Sequence, residues 1–143
     1  MLLDEGKYEI DNRTGINHEG AKANTPLQRL TANSLIGDKI ESPSGESLGT
    51  IEDLMINVST GKVEYAVVEF GGILGIGDKL FAVPFSELQM KEGEEKLLLS
   101  RDTEYLKNAP GFDKGHWPDT NNHEEYLGNV SSYYQVATPG FDL

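Results

Sequence analysis

The chain has 143 residues, which is enough for one domain with a modest core. It carries 24 acidic side chains against 12 of Lys and Arg, and the formal net charge of -12 disfavours direct binding to nucleic acids and anionic membranes. Cysteine is absent, which excludes disulfides, thiolate catalysis and Cys-ligated metal sites.

The start of the chain, residues 1–6, lacks the basic residue and the apolar run of about 7–15 residues that a secretory signal needs. No apolar stretch approaches the roughly 18 residues of a membrane helix. We therefore expect a cytoplasmic protein without membrane insertion.

The first zone, residues 1–33, is polar and contains several Asn and Gly residues, and no apolar period holds along it. Such a composition buries too little apolar surface to order a chain. We predict a flexible N-terminal arm, whose last part, residues 27–30, forms a turn or adds an edge strand.

The second zone, residues 34–100, carries nearly all of the strand signals. Short runs rich in β-branched and aromatic residues are separated by turn residues such as Pro43, Gly45 and Gly61. The predicted strands are residues 35–40, 48–58, 63–70, 80–83 and 96–99. Short strands at this spacing are typical of a barrel or a sandwich.

The third zone, residues 101–143, begins with a predicted short helix over 103–108, capped by Asp102 and ended by Pro110. Beyond the helix, the tail has little regular period, yet the zone as a whole holds Trp117 and four of the six Tyr residues. Because disordered tails are poor in aromatics, we expect parts of this tail to dock on the barrel or on another subunit.

The order of motifs in the middle zone resembles a known family. The segments LIGDKI at 35–40, GESLGTIED at 45–53, GKVEYAVVEFGG at 61–72, LGIGDK at 74–79 and FAVPFSEL at 81–88 look like a PRC-barrel. That family includes the cytoplasmic part of the photosynthetic reaction-centre H subunit, the C-terminal domain of the ribosome maturation factor RimM and many stand-alone proteins.

The resemblance implies an all-β fold that works by binding other proteins. We expect a small PRC-type β-barrel of about five to six short antiparallel strands, with one short C-terminal helix and extended N- and C-terminal arms. We expect the chain to differ from the H subunit in having no transmembrane segment, and from RimM in having no preceding domain of the RimM kind.

The strand predicted over 63–70 is apolar on both faces: Tyr65 and Val67 share one face, and Val68 and Phe70 share the other. A barrel strand with one wet face alternates apolar with polar residues instead. Something therefore covers its outer face, and the candidates are the arm, the aromatic tail or another subunit.

The glycine-rich run over 71–77 does not predict a phosphate loop, because a strand follows it where a helix would be needed. Its apolar side chains are either tucked under the barrel or part of a binding patch. The predicted partner-binding residues are Tyr65, Val67, Ile73, Leu74, Ile76 and Trp117.

His116, Asp119, His123 and Glu124 suggest a site for zinc or manganese, with His116 and His123 as the metal-binding pair. The alternative is ordinary solvated polarity in a loop. The sequence predicts no cofactor.

No nucleophile or general base can be assigned with a physical reason, so we expect no enzyme. The sequence predicts a non-catalytic protein-interaction module that self-associates as a homo-oligomer or docks on a larger assembly. Two alternatives stay open: a small-ligand or metal-binding regulatory or stress-related protein, and a RimM-like accessory factor whose acidic surface binds a basic ribosomal protein.

Overall fold

A computed structural model describes residues 16–24, 29–71, 79–91 and 96–137. The helices are α1 Ala32–Leu35, α2 Thr103–Lys107 and α3 His123–Tyr134, and short 3-10 turns span Gly20–Lys22 and Phe85–Glu87. The strands are β1 Lys39–Glu41, β2 Ser47–Asn57, β3 Lys62–Phe70, β4 Lys79–Pro84, β5 Leu88–Met90, β6 Lys96–Leu99 and β7 Gly111–Asp113.

The described strands form one sheet in the order β5-β6-β1-β2-β3-β4-β7. Neighbouring strands run antiparallel except β1 and β6, which are parallel. The mostly β character is as predicted. The prediction of five to six antiparallel strands is wrong in number and in one orientation, and β5 and β7 end the sheet without pairing in the described residues.

The long hairpin of β2 and β3 follows the prediction for 48–58 and 63–70 closely. Gly61 makes its turn possible, because the backbone there has φ +77, which side-chain-bearing residues rarely adopt. The pairing shifts by one residue at Glu64, since Met55 pairs with Tyr65 while Ile56 pairs with Val63. Such a bulge redirects the side chain at the extra position.

The prediction that residues 35–40 form one strand is wrong over its first part. Residues Ala32–Leu35 are helical, and the Thr31 hydroxyl oxygen caps the helix by accepting from the Ser34 N–H at 3.3 Å. The strand itself begins at Lys39. The capping residue, Thr31, lies just before the zone of residues 34–100 that carries the strand signals.

The short helix after the sheet is confirmed: α2 begins after Asp102, whose carboxylate accepts from the Tyr105 N–H at 2.8 Å. The expectation of an extended C-terminal arm is wrong over His123–Tyr134, which is α3. This helix buries Leu127, Val130 and Tyr134, a stripe at helical spacing.

The core includes both faces of the central strand β3. It is built from the apolar side chains of the central strands and from the buried stripe of α3. The predicted N-terminal arm concerns residues that mostly lie outside the described part of the chain. Within the described ranges, no helix combines the length and the apolar character needed to cross a bilayer.

Candidate functional site

The middle of β3 is covered by the chain's own C-terminal helix. The ring of Tyr65 stacks on the imidazole of His123 with centroids 5.9 Å apart, and the ring of Tyr126 meets it edge-on at 6.2 Å. Tyr65 and Val67 are fully buried, so neither side chain offers a surface to a partner in the folded chain. Burial also raises the pKa of the Tyr65 phenol.

The first turn of α3 is anchored by a buried carboxylate. The bulge in β3 turns Glu64 towards α3, where His123 Nε2 lies 2.8 Å from Glu64 Oε1. The Asn57 amide donates to Glu64 Oε2 at 3.3 Å. Glu64 is only 6% exposed, so these contacts satisfy a carboxylate that water hardly reaches.

The last turn of α3 is held by an arginine and a pair of tyrosines. Arg101 donates through Nε to Glu87 Oε1 at 2.7 Å and through Nη2 to the Tyr134 carbonyl at 3.2 Å. The Tyr133 hydroxyl donates to the Tyr105 carbonyl at 2.5 Å, and the Tyr105 hydroxyl donates back to the Tyr133 carbonyl. Both ends of α3 are therefore fastened to the rest of the fold.

An apolar groove opens beside this covered region. It has a volume of about 430 Å³ and lies where β2 and β3 meet α1 and the turn after β4. Its lining residues are Arg29, Leu30, Ala32, Leu35, Leu54, Ile56, Val63 and Phe85. Ile56 is 46% exposed at its edge, and Arg29 is the one charged residue among those that line it.

The tip of the β2–β3 hairpin, residues 57–61, stands next to the groove and is internally well fixed. The Asn57 side-chain oxygen accepts from the N–H groups of Ser59 at 2.9 Å and Thr60 at 3.2 Å. The Gly61 N–H donates to the Asn57 carbonyl at 2.7 Å. Val58 lies in this turn. Its surface is 92% exposed, which is unusual for so large an apolar side chain.

A polar cleft of about 540 Å³ lies on the other side of the hairpin, between its tip and the start of α3. Its lining residues are Met55, Ile56, Asn57, Ser59, Glu64, Pro118, Asp119, Thr120, His123 and Glu124. This mixture of hydroxyl, carboxylate and imidazole groups can hold a small polar molecule by hydrogen bonds.

The structure does not assemble the predicted metal ligands. His123 is engaged with Glu64, whereas His116 is exposed in the loop before α3. No cluster of three or more His, Asp or Glu side chains able to hold a metal ion occurs within the described ranges.

Among the predicted partner-binding residues that the structure describes, Trp117 is accessible, whereas Tyr65 and Val67 are not. Trp117 is 36% exposed, its ring packs on Phe112 with centroids 5.1 Å apart, and its indole N–H donates to the Lys114 carbonyl at 3.0 Å. The other predicted members of the surface, Ile73, Leu74 and Ile76, lie outside the described residues.

The sequence interpretation missed the apolar groove. Leu54 and Ile56 share one face of β2 by the two-residue period, which is a signal of an apolar surface. The other walls come from Leu30, Leu35 and Phe85, which are distant in the chain and are brought together only by folding.

Comparison with known proteins places the groove within a known type of domain. The family model described as the PRC-barrel domain matches residues 28–106, more than half of the chain. All residues that line the groove fall inside this span, whereas α3 lies beyond it. No curated protein matches the chain.

Proposed function

Because the chain belongs to the PRC-barrel domain family, we propose that it is a non-catalytic protein-interaction module that binds a protein partner through the apolar groove. The observation that carries this proposal is the contrast along β3. Its middle is closed by α3, whereas Val63 at its start lines a groove that the described residues leave open. Open apolar grooves of this kind mark binding sites.

The charge distribution supports the same surface. The chain has 24 acidic residues, yet none lines the groove and none lies in the hairpin tip. When a partner covers this surface, no carboxylate in it loses its hydration. Binding therefore avoids the large free-energy cost of burying an unpaired charge. The exposed ring of Trp117 is a second proposed contact, on the loop that leads to α3.

Two isoleucines provide a matched test. Ile56 in the groove is 46% exposed and Ile36 outside it is 41% exposed, so an aspartate at either position meets a similar degree of solvation. We expect tagged Ile56→Asp protein to lose partners that wild-type protein retains in a pull-down, and Ile36→Asp protein to retain them. Equal retention by both variants, with both folded by circular dichroism, would contradict the proposal.

The identity of the retained protein discriminates between the partner classes. Recovery of untagged chain supports self-association, and recovery of a basic ribosomal protein supports the role of a RimM-like accessory factor. The acidic surface suits the second partner, since opposite charges favour encounter.

A second candidate function, binding of a small polar ligand, is supported by the polar cleft with His123 and Glu64 at its base. Calorimetry with divalent cations and with small amines tests it on wild-type protein and on His123→Ala. Heat that is present in the wild type and absent in the variant would favour this candidate, and no heat in either would remove it.

A further inference from the structure

We infer that the partner of the groove is a second copy of this chain, and that Val58 of each copy inserts into the apolar groove of the other. This inference rests on the proposed interaction function and adds the occupant to it. The resulting dimer is isologous, with the same hairpin and groove used on both sides.

The positions of Val58 and Ile56 satisfy the geometry of a two-fold interface. Ile56 forms the edge of the groove, and Val58 is two residues further along the same hairpin, a separation of about 7 Å or less. The exposed side chain of Val58, an apolar knob, therefore lies directly beside the apolar groove. A two-fold axis close to Ile56 carries each knob over the groove of the other copy, and the two insertions are then identical.

The backbone of the hairpin tip is held in one conformation by hydrogen bonds within the chain. Asn57 accepts from two successive N–H groups of the turn, and Gly61 closes it with a backbone hydrogen bond. Asn57 also donates to buried Glu64, which links the tip to the fixed part of the fold. Little conformational entropy is lost when such a turn docks, so more of the free energy of apolar burial remains for association.

The distribution of charged residues favours contact between two copies through the groove and the hairpin tip. Each copy carries a net charge of -12, so two copies repel each other on average. The groove and the hairpin tip contain no carboxylate, and the one charged residue that lines the groove, Arg29, is positive on a strongly acidic molecule. Nearby carboxylates, those of Glu64, Asp119 and Glu124, line the polar cleft on the other side of the hairpin. Contact through this face keeps the acidic surfaces apart. Added salt screens the remaining repulsion and is expected to tighten the dimer.

The experiment is sedimentation velocity of wild type, Val58→Asp, Val58→Leu and Ile36→Asp over a wide range of protein concentration. We expect a wild-type monomer–dimer equilibrium. Val58→Asp should weaken it at least about tenfold, because a charged, strongly hydrated side chain would replace an apolar one in an apolar groove. Val58→Leu and Ile36→Asp should stay within about threefold of the wild type, since the first keeps an apolar side chain at position 58 and the second lies outside the groove lining and the hairpin tip. Unchanged circular dichroism and melting temperature verify the fold of each variant.

Three outcomes would overturn the inference: a wild type that stays monomeric at every concentration, a dimer that Val58→Asp leaves intact, or a dimer that Ile36→Asp disrupts equally. A monomeric wild type whose pull-down still depends on Ile56 leaves the proposed interaction function standing and refutes only the second copy as occupant. A monomeric wild type whose pull-down does not depend on Ile56 refutes both.

Discussion

Two neighbouring regions of β3 both present apolar side chains at the surface of the sheet, but only one of them is covered by the rest of the chain. At Tyr65 the chain folds its own helix α3 over the strand and fastens both ends of that helix with polar contacts. Around Val63 the apolar surface continues into a groove that the described residues leave open. A domain that closes one apolar region and keeps the next one open has a candidate binding surface at the second.

The two regions are expected to contribute differently to the stability of the fold. The covered region holds the buried residues of α3 and is expected to carry much of the stability. The groove edge and the hairpin tip hold Ile56 and Val58, which are exposed and are expected to carry little of it. Perturbations of the covered region should therefore unfold the protein, whereas substitutions of Ile56 and Val58 should affect binding alone.

Alkaline pH should produce the largest effect. Burial raises the pKa of Tyr65, Tyr126 and Tyr134 above the ordinary tyrosine value of 10.0. The folded state then binds more protons than the unfolded state above that pH, so the free energy of unfolding is unaffected below about pH 10 and falls as the pH rises further. We expect these phenols to ionise together with cooperative loss of the fold.

Phenolate absorbance and circular dichroism, followed in one titration, check this prediction. Coincident transitions for the delayed phenols are the expected result. Ionisation of all tyrosines at the ordinary pKa before any change in circular dichroism would show that α3 does not seal the sheet.

Leu127→Ala should destabilise the protein more than substitution of Ile56 or Val58 in the groove and hairpin tip, or of His123 at the start of α3. Leu127 is 4% exposed within the stripe of α3, and truncating a buried leucine costs about 2–5 kcal/mol. Urea unfolding measures the loss. Glu125→Ala on the exposed side of the same helix is the control, with an expected change within about 0.5 kcal/mol. Similar losses for both variants would mean that α3 is not packed on the core.

His123→Ala should have a smaller effect. It deprives the buried carboxylate of Glu64 of its imidazole partner and leaves the Asn57 amide in place, and an unsatisfied buried polar group costs about 1–3 kcal/mol. His116→Ala removes an exposed histidine from the loop before α3 and should change the free energy of unfolding by less than about 0.5 kcal/mol. If urea unfolding finds the two variants equally stable at neutral pH, the His123–Glu64 contact does not anchor α3.

The sequence predicted the parts of the fold that depend on local pattern. The β2–β3 hairpin follows from two apolar runs joined at Gly61, and α2 follows from the cap at Asp102. The apolar character of β3 on both faces also predicted a cover, and α3 from the aromatic tail supplies it.

The remaining features depend on tertiary arrangement. α3 escaped prediction because Tyr126 and Tyr133 flank its buried stripe and blur the helical period. The groove joins Leu30 and Phe85, which are far apart in the chain, so no local pattern reveals it. The burial of Tyr65 reverses its expected role, since sequence alone does not distinguish a strand face covered by the same chain from one that awaits a partner.

The central claim is that the groove binds protein, and photo-cross-linking tests it most directly. The chain has no cysteine, so a benzophenone maleimide attaches only at an introduced one. We expect Ile56→Cys protein carrying this label to form a protein adduct on irradiation, and Ile36→Cys protein with the same label to form little. Adducts of equal yield at both positions, or none at position 56, would contradict the claim.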